Sequence, residues 1–273
     1  MINKFKKGLK GLPKYGFLSI AAFFSLFPFY WMMVSATNKT VDITKGKMTF
    51  GSELFNNYNR LIKITDIGVP FMNTVKVTII YTVLALSVCS IAAYGFEKFK
   101  SKGKEKVYAI FIFSMMIPFG ALMIPLFKMV VSFNLVNNHW AIILPYVGQV
   151  FLIFYFRQSF KFFPNEIIEA ARIDGAGEIS IFLRVVVPSM KSTFASASIF
   201  AFTLQWNNFL WPLIVLQTDK QKTMTLVISS LSSAYFVDYG ILMLAIVIAT
   251  LPMVLLFMTM QKHFVEGMVG SAK

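Results

Sequence analysis

The chain has 273 residues, of which 57% are hydrophobic and 16% aromatic, with a mean hydropathy of +0.67. About half of an ordinary soluble domain is apolar, so this composition excludes that class and points to a membrane protein. The net charge of +14 is no sign of nucleic-acid binding, because the basic residues collect between apolar runs, where lipid headgroups and membrane topology account for them.

Six apolar runs approach the roughly 20 residues that an α-helix needs to cross a bilayer. They predict an all-α, polytopic membrane protein with six transmembrane helices over residues 15–260, between a leader over 1–14 and a tail over 261–273. The leader places Lys4, Lys6, Lys7, Lys10 and Lys14 before the first run, Tyr15–Ala36. A secretory signal has an apolar region of about 7–15 residues and a small-residue cleavage site; this longer run reads as an uncleaved span. Thr37–Pro70 follows, with Phe55, Tyr58 and Arg60 either receiving a partner or simply connecting two spans. The second run, Phe71–Phe96, holds Lys76, which can snorkel to the surface, and the single cysteine, Cys89, so no internal disulfide is expected. Val107–Val130 carries Pro118, Gly120 and Pro125; Trp140–Phe156 is short and carries Pro145, Gly148 and Gln149. Thr193–Leu216 and Gly240–Met260, the latter with Pro252, complete the set. Such punctuation is tolerated in a membrane where neighbouring helices or cavities satisfy the freed backbone groups.

Lysine and arginine set the expected orientation. The side of the leader holds five there, five over Glu97–Lys106, five over Arg157–Lys191 and two in the tail, or 17, against 8 on the opposite side. Both termini and the 157–191 loop are therefore expected in the cytoplasm.

No catalytic constellation is visible. His139 and His263 lie near opposite ends of the topology and cannot share a metal. No G-x-x-x-x-G-K-[ST] phosphate loop occurs, so the chain is not expected to bind ATP, a metal or any other cofactor. Ion-coupled transporters carry carboxylates or histidines inside their spans; their absence here favours a neutral solute and an external energy source. Polar uncharged residues also occur inside the spans, among them Gln205, Trp206, Asn207 and Asn208 in the fifth and Gln149 in the fourth. Amides can bond hydroxyl groups and aromatic faces can pack on a sugar ring. These five residues are candidates for a solute path; equally, the tryptophans can join an interfacial belt and the amides can bridge helices.

The 157–191 loop has its own pattern. Asn165 after Pro164 is a good helix start, Glu166 and Glu169 lie near its positive end, and Ile167, Ala170 and Ala171 have helical spacing. Gly175 and Gly177 allow the chain to turn into a second helix. Glu169-Ala170-Ala171, then Gly175, then Val185-x-Val187-Pro188 resembles the EAA loop of ABC importer permeases, with Val185 and Val187 where isoleucine and leucine are usual and Ser192 near the place of a second proline. Trp206-Asn-x-Phe-Leu-Trp-Pro-Leu213, Phe55-Asn-Asn-Tyr58, Gln261-Lys-His-Phe-Val-Glu-Gly267 and Gly270-Ser-Ala-Lys273 resemble the carbohydrate-uptake members, specifically the maltose-type G subunit.

The resemblance implies an ABC importer permease fold with an EAA coupling loop, in which Glu169, Ala170, Ala171, Asp174, Gly175 and Gly177 couple to an ATPase. It implies a second homologous permease forming a heterodimer, an ATPase dimer that binds ATP and Mg, an extracytoplasmic solute-binding protein and a sugar or oligosaccharide moved by alternating access. The place is the bacterial cytoplasmic membrane, with the chain multi-pass in lipid. The alternatives are a permease for another neutral solute such as a peptide, or a non-transporting membrane scaffold or enzyme subunit.

Overall fold

The structure, a computed structural model, describes the backbone of residues 2–99 and 101–270 and the side chains of 14–99 and 101–262. The side chains of Lys4, Lys6, Lys7, Lys10 and His263, and most of the tail patterns Gln261–Gly267 and Gly270–Lys273, lie outside the described residues. Among the described residues the regular structure is entirely helical. In chain order the α-helices are α1 (Ile2–Ala36), α2 (Thr40–Thr44), α3 (Leu54–Ile64), α4 (Gly68–Lys98), α5 (Lys102–Ser114), α6 (Phe119–Ser132), α7 (Trp140–Ile143) and α8 (Val150–Lys161). They continue as α9 (Asn165–Ile173), α10 (Glu178–Ile181), α11 (Val187–Ser189), α12 (Lys191–Trp206), α13 (Leu210–Val215), α14 (Met224–Ser232) and α15 (Tyr239–Gly270).

Three unbroken helical stretches are long and apolar enough to cross a membrane: Lys14–Ala36, Gly68–Lys98 and Tyr239–Lys262. The other expected spans are bent pairs. Lys102–Ser114 meets Phe119–Ser132 at 105°, and Trp140–Tyr146 meets Val150–Lys161 at 41°. The break before α6 has a clear cause: Pro118 lacks an amide hydrogen and adopts an extended ψ of 139° at the helix start, where its ring is compatible with a new helix but not with continuing the old one. Pro125 and Pro252, by contrast, are accommodated inside α6 and α15.

The fifth expected span, Thr193–Leu216, does not form one helix. α12 stops at Trp206, Asn207 and Asn208 intervene, and the short α13 follows. The preceding Glu178–Ser189 stretch meets α12 at 85°, so the loop's second helical stretch turns sharply into α12. The first expected span also differs: helix α1 already begins at Ile2, so leader and span are one element.

Two compact units divide the chain, one of Met1–Ile67 with Ile228–Leu251 and one of Gly68–Val227 with Pro252–Lys273. In the first, α3 is tied down by polar groups. Buried Asn57 donates through Nδ2 to the carbonyls of Ala36 at 2.8 Å and Asn38 at 3.1 Å. Arg60 pairs with Asp238 and bonds Asn57. Asp238 in turn accepts from the Gly240 and Ile241 amides at the start of α15. Gly240 is required there, since a Cβ would lie 2.7 Å from the Asn38 carbonyl oxygen and 2.8 Å from Asn57 Nδ2.

In the second unit α4 is the axis, packed along α8 and α12. Its buried face repeats every four residues: Val77, Tyr81, Ala85, Cys89 and Ala93, each at most 1% exposed. Small side chains at 85, 89 and 93 let neighbouring backbones approach, which drives helix association where lipid offers no hydrophobic gain. Cys89 lies close enough for its Sγ to reach the Val147 carbonyl at 3.3 Å. Around this axis gather Phe156, Phe160, Phe182, Val186, Ala197, Ala201 and Trp211.

Candidate functional site

The 162–190 segment folds into a short helix, a glycine turn and a second, partly π-helical stretch. Asn165 is the first residue of α9 rather than its side-chain cap: no side chain caps the helix, and Asn165 Oδ1 accepts from Lys98 Nζ at 2.7 Å. Lys98 also donates to the Phe163 carbonyl at 3.1 Å, so the C-terminal end of α4 holds the start of the loop helix.

The end of α9 is a glycine-closed cap. Ala176 donates to the Ala171 carbonyl and Gly175 to that of Arg172, both at 3.0 Å, with Gly175 at φ +81°. This double bond is the Schellman arrangement, which uses a left-handed residue to satisfy the last carbonyls. Asp174 sits beside it as the terminal residue, and Gly177, extended at φ −71° and ψ 155°, starts α10. Arg172 Nε and Glu178 Oε1, 2.6 Å apart, bridge the turn, and Glu178 accepts from the Tyr94 hydroxyl at 3.4 Å. The Glu178 carboxylate also raises the pKa of the exposed Arg172 guanidinium.

Burial gives the loop an underside and an outside. Ile168, Ile181, Phe182 and Val186 are buried, and Phe182 lies against Tyr94 with ring centroids 5.2 Å apart. Ala171 is half-buried, whereas Glu169 and Ala170 are exposed. The face that α9 packs down is therefore Ile168 with Ala171; Ile167 points with Ala170 to the outside, and the expected grouping of Ile167, Ala170 and Ala171 on one face does not hold. Ile167, Ile173, Ile179 and Leu183 are 43%, 86%, 78% and 56% exposed. The outside thus mixes these apolar side chains with the exposed charges of Glu166, Glu169, Arg172 and Asp174, above a buried underside. A hollow of about 290 Å³ beside it is lined by Glu97, Lys98, Lys161, Asn165, Ile168, Glu169 and Arg172.

Sequence reasoning missed Arg157, which it placed at the start of a solvated loop. It is 5% exposed. Its Nε bonds Glu97 at 3.2 Å, its Nη2 bonds Glu105 at 2.6 Å, and its guanidinium covers the Tyr108 ring at 3.9 Å. One side chain of α8 so joins the end of α4 to the start of α5. Acidic Glu97 and Glu105 flanking the same apolar runs were the available signal, since a buried cation needs carboxylate partners.

The five candidate path residues are not brought together. Gln149 starts α8 beside Cys89, its carbonyl accepting from Cys89 Sγ at 3.5 Å. Trp206 instead contacts Phe71 edge-on at 6.2 Å. Eighteen residues of α4 separate those contacts, or about 27 Å along a helix. Gln205 and Trp206 are 4% and 3% exposed, and Trp206 stacks on Phe202 at 5.4 Å. Asn207 is exposed and bonds the Thr203 carbonyl at 3.0 Å, closing α12; Asn208 is half-buried, its carbonyl accepting from Thr225. Trp211 is fully buried, donating from its indole to the Ala141 carbonyl at 2.8 Å. Neither tryptophan offers a free face. Among the described residues no group of histidine, cysteine or carboxylate side chains could hold a metal.

Comparison with known proteins fits these features. The chain is 48% identical over 273 residues to the lactose transport system permease protein LacG of Rhizobium radiobacter, covering 100% of both chains. It is 31% identical over 263 residues to the arabinooligosaccharides transport system permease protein AraQ of Bacillus subtilis, covering 94% of each. Its fold matches a crystal structure of a bacterial ABC transporter involved in import of the acidic polysaccharide alginate, with a TM-score of 0.84 at 21% identity, over 95% of this chain and 98% of that one. Residues 85–270 match the family described as the binding-protein-dependent transport system inner membrane component. That stretch takes in the glycine-capped loop, the Arg157 cluster and the Trp206–Leu213 segment, and the chain belongs to this family.

Proposed function

We propose that this chain is a membrane-spanning permease subunit of an ATP-driven importer for a sugar or oligosaccharide. The observation that carries the reading is the loop from Asn165 to Val187, whose exposed isoleucines and charged side chains stand on a buried underside, in a chain of the binding-protein-dependent transport family. Such a surface suits a protein partner that must push and pull without deforming it. The partner is a separate ATPase dimer, which binds ATP and Mg; Glu169, Ala170 and Ile173 face it, and Gly175 and Gly177 with Asp174 set the angle at which they do so. Ala171 supports the helix from below.

A second, homologous permease completes the pathway as a heterodimer, and an extracytoplasmic binding protein delivers the solute. The basic-residue bias puts both termini and the loop in the cytoplasm. Closing of the ATPases on ATP moves the loops, and the helices rock as bodies between outward and inward openings. Asn207, the one exposed amide of the Trp206–Leu213 segment, is the path residue favoured here, with Asn208 and Gln149 behind it. Gln205 and Trp206 act through packing.

The named substrates of the relatives make lactose the first solute to try. Uptake of radiolabelled lactose and of arabinooligosaccharides is measured in cells with and without this chain and its neighbouring transport proteins. Loss of uptake of one of these sugars on deleting this chain, restored by supplying it, is the expected result; unchanged uptake of a panel of sugars with loss of peptide uptake would overturn the carbohydrate reading.

A further inference from the structure

Lys76 lies eight residues into α4, about 12 Å along the helix, and no acidic side chain pairs with it among the described residues. On the same helix stripe Met72, Ile79 and Val83 are 61%, 51% and 58% exposed. A lysine among exposed aliphatic side chains inside a membrane-spanning helix is costly unless an anion or water meets it. The polar lining that a sugar pathway would require is absent from that stripe.

Beside Lys76 is a cavity of about 280 Å³, lined also by Val77, Ile80, Asn138, His139, Trp140, Ile143 and Gln221. Its walls are fixed by hydrogen bonds. Asn73 donates to the carbonyls of Lys220 and Lys222 at 2.9 and 3.0 Å, and Asn137, at φ +60°, accepts from the amides of Gln217 and Thr218. Asn138 Oδ1 accepts from the Trp140 amide at 2.9 Å, so its own NH2 group is the part left to donate. His139 Nε2 is 3.1 Å from the Gln221 carbonyl oxygen, which can only accept; Nε2 therefore carries the hydrogen. Burial, with the Lys76 charge adding to it, pushes the imidazole pKa down, and a neutral ring leaves Nδ1 as an acceptor. Trp140, 43% exposed, is of the residue type that settles at headgroup level.

We propose that this cavity is a binding site for the headgroup of an anionic phospholipid. The Lys76 ammonium and the Asn138 NH2 group hold the phosphate, His139 Nδ1 accepts from a headgroup hydroxyl, and the acyl chains run inward along Ile79 and Val83. Phosphatidylglycerol supplies each of these groups. The lipid is the missing counter-ion of Lys76, and it holds α4 against the 137–140 turn.

The test is native mass spectrometry of the full-length chain in mild detergent, titrated with phosphatidylglycerol, phosphatidylcholine or inorganic phosphate. Wild type is expected to retain phosphatidylglycerol in preference to phosphatidylcholine at this site, and inorganic phosphate is not expected to displace it. Lys76→Gln is expected to weaken the tightest phosphatidylglycerol association about fivefold, the worth of one lysine at a headgroup. Lys76→Arg restores it, and Asn138→Ala, at an exposed position, weakens it less. Lys106→Gln, remote in sequence from the cavity, controls for general basicity. Equal phosphatidylglycerol retention by wild type and Lys76→Gln, with matching thermal melts, would overturn the proposal, as would equal retention of the two lipids or displacement by inorganic phosphate.

Discussion

Arg157 and Gly175 are the residues on which the construction around the 165–187 loop depends most. Arg157 is a buried cation with two carboxylate partners and an aromatic lid. Removing one member of a buried pair leaves the other uncompensated and costs about 3–5 kcal/mol. Arg157→Ala is therefore expected to lower the melting temperature of the detergent-solubilised chain sharply, with Arg157→Lys intermediate, because an ammonium cannot span Glu97 and Glu105 as a planar fork does. Unchanged melting of Arg157→Ala would count against the clamp. Gly175 was legible in the sequence, since a glycine after a helical pattern signals a left-handed cap, and its φ of +81° agrees. Arg157 was not, because its partners are 52 and 60 residues away; charge at the edge of an apolar run reads as interfacial until the tertiary fold brings a carboxylate to it.

The six apolar runs identified the membrane-spanning segments at the level of elements, yet three of them hide breaks. A span that is apolar on all sides carries no face periodicity to locate a bend, so only proline and glycine mark it. Pro118 did mark the 105° turn between α5 and α6, whereas Pro125 and Pro252, of the same residue type, leave their helices continuous. Residue type alone does not distinguish them. The end of α12 is similar. Asn207 and Asn208 end the helix because short amides compete for backbone groups, here with Asn207 Nδ2 on the Thr203 carbonyl. Trp206→Ala should cost about 3–5 kcal/mol of stability through the lost contacts with Phe202 and Phe71. Asn207→Ala, losing one exposed hydrogen bond, should lower melting only slightly and reduce solute uptake at equal membrane abundance. The two residues are neighbours in sequence, so melting curves set beside uptake rates separate packing from path; loss of uptake without loss of stability in Trp206→Ala would reverse that assignment.

Taken as a whole molecule, the chain is a membrane transport subunit whose 165–187 loop rests on a buried underside. The underside of the loop is fastened to the end of α4 by Lys98, Tyr94 and the Phe182 ring, and its outside exposes isoleucines among charged side chains. On the proposed coupling, displacement of that surface would be passed to α4, the helix along which α8 and α12 pack. The single native cysteine, Cys89, is buried, so cysteine cross-linking reports cleanly on introduced sites. The most direct measurement is cross-linking from Ala170→Cys to the ATPase in the assembled transporter, with Tyr235→Cys, also exposed, as the control. The account predicts a cross-linked permease–ATPase product from position 170 that changes in yield with ATP, and none from position 235. Absence of any product from position 170 in a complex that still transports would contradict it.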